Sequence, residues 1–281
     1  MELISLKYAI FVIVLLVLYY CFPKKYRWYV LLAGSMAYYV IICKWYVLFI
    51  IFTICTTYGS TIWIDKLLKE QNAIVKSHKE DWDRQTRKEY KEKGRKKRVA
   101  VMLFALLCNF GILAFLKYIP YAGELGLLLP LGISFYTFQS MGYVMDVYRE
   151  IVEPEKNFFK VALFVSFFPQ IIQGPIAIYD KLAGQLYEGH SLRLENLQKG
   201  ALLVLWGVMK KLVIADRAVN IINFVMDKPM DFSGTYVFFA AVVYALQLYA
   251  DFSGGIDIVR GIAELFGITM STNFNLSLIH I

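Results

Sequence analysis

The sequence offers few of the side chains that bind metal ions. It holds three histidines and four cysteines in 281 residues. The histidines are scattered, and the cysteines all lie in apolar runs without metal-ligand spacing, as buried small hydrophobic residues do. We therefore predict no metal site. The residues concerned are His78, His190, His280, Cys21, Cys43, Cys55 and Cys108.

Charge and linker sequence are scarce as well. Charged residues make up 19% of the chain and hydrophobic residues 58%, with a mean hydropathy of +0.52, whereas a soluble domain has roughly 45–50% apolar residues. No Ser/Pro/Gly-rich linker, low-complexity tract or internal repeat divides the sequence. The composition excludes a soluble globular protein. It predicts an all-α polytopic transmembrane protein with one domain over residues 1–281.

Apolar runs of membrane-spanning length recur along the chain. The first lacks a cleavage site and is followed by further runs, so we expect it to be retained and not removed as a signal peptide. The predicted spans are Tyr8–Phe22, Trp28–Cys43, Trp45–Ile64, Val99–Tyr118 and Leu125–Val147. Further segments with long apolar runs are Phe158–Tyr179, Gly200–Val225 and Ala240–Ile268.

One long hydrophilic segment, Asp65–Arg98, sets the predicted orientation. It carries thirteen Lys/Arg against seven Asp/Glu, and this net charge of +6 is most of the chain's net charge of +8. The positive-inside rule makes it a cytoplasmic loop and places the N-terminus outside, which also puts the basic residues after the first span inside. We expect this loop to lie beside anionic lipid and predict no nucleic-acid partner.

The segment Phe158–Tyr179 is predicted to be broken or re-entrant. Pro169, Gly174 and Pro175 interrupt its apolar run, with Gln173 between them. Such a segment is tolerated in a membrane only where its backbone is buried in protein or lines water.

Two spans carry polar stripes at helical spacing. In Leu125–Val147 the stripe is Tyr136, Gln139, Tyr143 and Asp146, which indicates an inward-facing helix. Two alternatives stay open for this stripe. It lines a cavity, or it is a lightly polar packing face between helices.

The second stripe, Tyr244, Gln247 and Asp251, lies in Ala240–Ile268. We favour a buried functional position for Asp251 over a cap at the headgroup layer, because a carboxylate in hydrocarbon is costly. Gly254-Gly255 follows and predicts a helix break. Beyond it a short amphipathic stretch carries Asp257, Arg260 and Glu264, in which Asp257 and Arg260 have the spacing of an ion pair.

Four ionisable residues, Lys210, Lys211, Asp216 and Arg217, interrupt the span Gly200–Val225. They are compatible with a site for an anionic group or with a cytoplasmic surface helix whose lysines extend to the headgroups, and spacing favours the surface helix. Together these patterns predict broken helices around an internal cavity, as in an intramembrane enzyme or a transporter.

Four collinear blocks and a short fifth one resemble the bacterial membrane-bound O-acyltransferases, in the branch that contains alginate O-acetyltransferase. A more distant resemblance is to the teichoic acid D-alanyltransferase. The resemblance covers essentially the whole chain from the first span. The blocks are Leu129–Glu150, Phe167–Ile176, Trp206–Arg217, Gln247–Ile268 and Asn273–Asn275.

The resemblance implies an enzyme of the bacterial cell membrane with a funnel through the bilayer. It would transfer an acyl group, expected to be acetyl, from a cytoplasmic thioester donor to an extracytoplasmic polysaccharide or cell-wall polymer. The donor is acyl-CoA or an acyl-carrier protein, with no bound cofactor, and an extracytoplasmic partner acyltransferase is a further implied partner. The alternatives are an exporter or flippase for a polysaccharide or lipid-linked intermediate, and a non-catalytic membrane scaffold.

The resemblance also assigns candidate residues. Tunnel or substrate candidates are Gln139, Gln173, Gln247, Tyr249, Asp251, Ser253, Asp257, Asn273 and Asn275. Donor-side candidates are Lys210, Lys211, Asp216 and Arg217. Each has a structural alternative, such as a helix cap, a helix ion pair or a headgroup anchor.

The chain departs from the family pattern after Asn275. The family continues into a Trp/Arg-rich stretch with the catalytic histidine, whereas here residues 276–281 read LSLIHI. His280 lacks the family context, so it receives no catalytic role. We expect a truncated sequence with a non-native tail over 276–281, and we expect the fragment alone to be inactive.

Overall fold

The computed structural model describes residues 3–78, 82–118, 129–227 and 229–271, and these residues form helices and connections without a strand. The all-α prediction is therefore confirmed. The helices are α1 (Leu6–Cys21), α2 (Arg27–Cys43), α3 (Val47–Ser77), α4 (Arg84–Tyr118), α5 (Ile133–Tyr148), α6 (Phe158–Ser166), α7 (Phe168–Gln173), α8 (Tyr179–Tyr187), α9 (Leu194–Met209), α10 (Asp216–Met226) and α11 (Gly234–Leu265).

Three helical stretches among the described residues are long and apolar enough to cross a membrane. They are Lys24–Ser77, Arg84–Tyr118 and Gly234–Leu265, and shorter apolar helices cover Leu6–Cys21 and Phe158–Gln173. This supports a polytopic membrane protein. The placement of the N-terminus outside and of residues 65–98 in the cytoplasm stays a prediction.

The helices group into two compact units. The first unit takes its described residues from Met1–Val30, Ile172–Pro175 and Glu188–Ile281, and the second from Leu31–Ile171 and Ile176–Tyr187. The single domain over residues 1–281 stays a prediction.

The hydrophilic segment 65–98 is mostly helical, and its role as a cytoplasmic connection between two spans stays a prediction. Helix α3 continues through the segment to Ser77, and α4 begins at Arg84 and runs on into the apolar part of the chain. The two polar ends pack where Gly94 faces the Gln71 side chain, with no room for a Cβ on Gly94. Lys, Arg, Glu and Gln are strong helix formers, so polarity alone does not end a helix.

The predicted break in the apolar segment after residue 158 is confirmed. Helix α6 ends at Ser166, and Phe167 has an extended ψ of 110° before α7 begins at Phe168. Pro169 falls in the first turn of α7, where its missing N–H removes no helical bond. The Ser35 hydroxyl accepts a hydrogen bond from the Phe168 N–H at 3.1 Å, which satisfies a donor that the break would otherwise leave unpaired.

The polar stripe on α5 faces inward, as predicted. Tyr136, Gln139 and Tyr143 are all buried. The Gln139 Nε2 donates to the Phe164 carbonyl at 2.9 Å, and the Tyr143 hydroxyl accepts from the Glu155 N–H at 2.8 Å. These contacts favour the packing-face alternative for this stripe. Gln139 as a tunnel residue stays a prediction.

The start of α5 depends on a glycine. Gly132 caps the helix with φ at +68°, and a Cβ there would collide with the Ile171 carbonyl and side chain. We expect Gly132→Ala to lower the free energy of unfolding by about 2 kcal/mol, because it adds backbone strain to a steric clash. The measurement is the thermal unfolding midpoint in detergent.

The matched control for this substitution is Gly142→Ala, since Gly142 lies inside α5 with nothing within 4 Å of its Cβ position. It should leave the midpoint unchanged or raise it. Equal midpoints for the two variants would contradict the cap geometry.

Candidate functional site

Helices α9 and α11 of the first unit meet along a seam of glycines. Gly200 and Gly207 are one heptad apart on α9, and Gly254 and Gly261 are one heptad apart on α11. A Cβ on Gly207 would lie 2.5 Å from the Gly254 carbonyl oxygen, and one on Gly261 would lie 2.6 Å from the Gly200 carbonyl oxygen. Small residues of this kind let helix backbones touch inside a membrane.

The glycine pair Gly254-Gly255 does not break the helix, and that prediction was wrong. Helix α11 runs without interruption from Gly234 to Leu265. Gly254 faces the backbone of α9, and Gly255 faces the Gln173 amide so closely that a Cβ would collide with it. Each glycine costs about 1 kcal/mol relative to alanine inside a helix, and the close packing offsets that cost.

A π-helical segment, Lys210–Ala215, joins α9 to α10 beside the seam. Such segments widen the helical turn and occur frequently at functional sites. Here two consecutive lysines both reach α11. Lys210 Nζ pairs with Asp257 and donates to the Ser253 hydroxyl at 3.2 Å, while Lys211 Nζ pairs with Asp251.

A third cation completes what we call the charge cluster, formed by Lys210, Lys211, Asp251, Asp257 and Arg260. Arg260 Nη1 lies 3.3 Å from Asp257 Oδ1. The cluster therefore holds three cations and two carboxylates, an excess of one positive charge. Ion pairs of this kind make charged side chains tolerable within apolar helices.

The two lysine pairs differ in burial. The Lys210 and Asp257 side chains are 13% and 15% exposed, whereas those of Lys211 and Asp251 are 25% and 34% exposed. We call these the inner pair and the outer pair. The outer pair is the accessible side of the cluster, so a ligand's anionic group would meet Lys211 before Lys210.

The structure brings together residues that the sequence had placed in two separate sets. The donor-side candidates Lys210 and Lys211 pair with the tunnel candidates Asp251 and Asp257, and the tunnel candidate Ser253 lies between them. Gln173 packs on the same helix at Gly255.

Other predicted site residues are not among the five residues of the cluster. Asp216 and Arg217 are exposed on α10, Tyr249 is exposed and Gln247 is half-buried. Tyr244 of the predicted stripe is 52% exposed on the described chain. Gln139 belongs to the second unit. Asn273, Asn275 and His280 lie outside the described residues, so their roles stay predictions.

Two features of the site were not predicted from the sequence. The seam glycines of α9 were missed, although the heptad spacing of Gly200 and Gly207 was a readable signal. Arg260 was assigned only to a helix pair, and nothing in its spacing indicated that Asp257 is shared with Lys210.

Comparison with known proteins shows what the chain is similar to. No family model matches the chain. The peptidoglycan O-acetyltransferase of Helicobacter pylori is 32% identical over 62% of this chain. The probable alginate O-acetylase AlgI of Pseudomonas aeruginosa is 34% identical over 53% of it. The chain is a homologue of these O-acetyltransferases.

This homology confirms the resemblance to the bacterial membrane-bound O-acyltransferases, but the matches to these two relatives cover 62% and 53% of the chain and not essentially all of it. A weaker match, 25% identical over 52% of this chain, is the teichoic acid D-alanyltransferase of Bacillus subtilis. The matches span 40%, 28% and 37% of the length of these three relatives. The matched part of the chain thus covers less than half the length of each of these three relatives.

Proposed function

We propose that the protein acts as a membrane-bound O-acyltransferase. It transfers an acyl group, acetyl in the first instance, from a cytoplasmic thioester donor to hydroxyls of an extracytoplasmic polysaccharide or cell-wall polymer. The observation that carries the proposal is the homology, because the relatives share one chemistry on different polymers. Two form acetyl esters on peptidoglycan or alginate by their names, and a third transfers D-alanine to teichoic acid.

The reaction requires a proton acceptor and a held thioester. The polymer hydroxyl loses its proton to a general base as its oxygen attacks the thioester carbonyl carbon, and the thiolate leaves and takes a proton. A histidine is the base that the family resemblance implies. In this proposal the outer pair, Lys211 with Asp251, offers the donor's anionic part an accessible cation, and the buried Ser253 holds Lys210 in place behind it.

The proposal is tested by deleting the gene in its native host. Ester-linked acetate released by mild alkali is measured separately from purified peptidoglycan and from secreted polysaccharide. We expect acetate to fall severalfold in one of the two polymers and to return when the gene is restored, which also identifies the acceptor. Unchanged acetate in both polymers contradicts the proposal. Loss of exported polymer at unchanged acetate per sugar would instead indicate the exporter.

The donor and the partner are part of the same proposal. Membranes supplied with acetyl-CoA labelled in the acetyl group should transfer label to the polymer if the donor is a coenzyme A thioester. If label reaches the polymer only after a carrier protein is added, the donor is an acyl-carrier protein. An extracytoplasmic partner acyltransferase is indicated if label reaches the outer side of the membrane but not the polymer.

A further inference from the structure

A basic cleft of about 500 Å³ opens between the polar ends of α3 and α4, in the second unit. Helix α4 contributes the basic side chains at helical spacing, so they form one row along a single face. Two acidic residues, Glu92 and Glu150, also line the cleft, which leaves an excess of four positive charges. The basic residues are Arg84, Arg87, Lys88, Lys91, Arg95 and Arg98.

Two of the lining side chains are buried and incompletely hydrogen-bonded. Gln71 is 6% exposed and Arg98 is 8% exposed. Within the described part of the chain, Gln71 Oε1 and Arg98 Nε have no hydrogen-bond partner. A buried polar atom without a partner costs about 1–3 kcal/mol. The unpaired Arg98 N–H can donate a hydrogen bond, and the neighbouring cations attract negative charge. The cleft is therefore suited to binding an anion.

Glu150 already supplies one anionic group to this cleft. Its carboxylate accepts a hydrogen bond from Arg98 Nη1 at 2.8 Å, and Glu150 itself has a left-handed φ of 62°. Such a conformation is uncommon for a residue with a side chain. The Glu150 side chain is 54% exposed, so a ligand anion can displace it from Arg98 without rearrangement of the helices.

We propose that this cleft binds a phosphate-bearing ligand. Arginine guanidinium groups form paired hydrogen bonds with phosphate oxygens, and four of the six basic residues are arginines. The site lies in the second unit and is independent of the charge cluster, so the inference goes beyond the proposed acyl transfer.

The length of the row bears on the source of the phosphate. Arg84 and Arg98 are 14 residues apart on α4, which corresponds to about 21 Å along a helix. The headgroup layer on one side of a bilayer is only about 6 Å deep. A phospholipid headgroup would reach the end of the row at Arg95 and Arg98, whereas a soluble ligand with several phosphates would fit its whole length.

The experiment measures binding of soluble phosphates to the purified chain in nanodiscs of neutral phosphatidylcholine. The probes are inorganic pyrophosphate and adenosine 3′,5′-bisphosphate, and their binding is measured by calorimetry. The test variant is Lys91→Gln/Arg95→Gln. The matched control is Lys93→Gln/Lys96→Gln, which removes the same charge from neighbouring turns of α4 but from side chains that do not line the cleft.

We expect the test variant to weaken binding by about tenfold or more and the control by less than twofold. Glu150→Gln should strengthen binding severalfold, because it removes the competing carboxylate from Arg98. Equal weakening by both double variants overturns the proposal, since it shows only a general effect of positive charge.

A second arm distinguishes the source of the phosphate. If soluble probes do not bind, the chain is placed in nanodiscs with and without phosphatidylglycerol, and lipid retention after purification is measured by mass spectrometry. Retention that falls in the Lys91→Gln/Arg95→Gln variant but not in the control supports a lipid headgroup. Absence of binding to soluble phosphate and of retained anionic lipid overturns the proposal.

Discussion

Gly207→Ala is expected to lower the free energy of unfolding by about 3 kcal/mol. The new Cβ would lie 2.5 Å from the Gly254 carbonyl oxygen and 2.8 Å from the Ile258 backbone nitrogen. Both are backbone atoms of α11, so no side chain can rotate away and the helices must separate. Separation would also pull Lys210 and Lys211 away from their carboxylates.

The measurement for Gly207→Ala is the thermal midpoint by size-exclusion chromatography in detergent. The control is Gly111→Ala in α4, where nothing lies within 4 Å of the Cβ position. It should stabilise the protein by up to about 1 kcal/mol, because alanine is the better helix former. The two substitutions are chemically identical and should act in opposite directions. A shared direction and size would mean that α9 and α11 are not in backbone contact.

Lys210→Met is expected to destabilise the protein by about 3 kcal/mol. It leaves Asp257 with Arg260 alone, in a position where the Asp257 side chain is only 15% exposed. Removing Lys210 leaves a buried carboxylate with little water and only one of its two cationic partners. Lys211→Met removes a more exposed pair, so it should cost about 1 kcal/mol or less.

A double-mutant cycle tests the Lys210 prediction directly. Lys210→Met and Asp257→Asn should each destabilise the protein, and their combination should cost less than the sum by about 1–3 kcal/mol. The measurement is the free energy of unfolding from a denaturant titration in mixed micelles. Additive effects, or a Lys211→Met variant as unstable as Lys210→Met, would show that the inner pair does not form.

The helices of this fold could be predicted from apolar runs, but their ends could not. A break within Phe158–Tyr179 was predicted correctly, because Pro169 acts through its own covalent geometry, although its position at Phe167 was not predicted. The break at Gly254-Gly255 was predicted wrongly because glycine permits a break and equally permits close packing, and only the partner helix decides between them. The helical hairpin of residues 65–98 was missed because water solvates a polar helix as well as a loop.

The composition of the charge cluster was largely predictable, whereas its connections were not. Asp251 was given a buried functional position because a carboxylate in hydrocarbon is costly, whereas Lys210, Lys211 and Asp257 became site candidates through the family resemblance. The pairing of each lysine with its aspartate depends on the π-helical segment Lys210–Ala215. No residue pattern in that segment predicts a π-helix. A π turn reflects the competition between helix register and tertiary contacts, and that competition is absent from local sequence.

The π-helical segment has a consequence for how this region can vary in length. A π turn holds one residue more than the α-helix that would cover the same distance. The additional residue is absorbed between Met209 and Asp216, so α9 and α10 keep the faces they present to α11. Loss of that residue would restore an ordinary turn, in which neighbouring side chains point about 100° apart. A homologue shorter by one residue here would keep the glycine seam but turn the side chains that follow Met209 to a different register against α11.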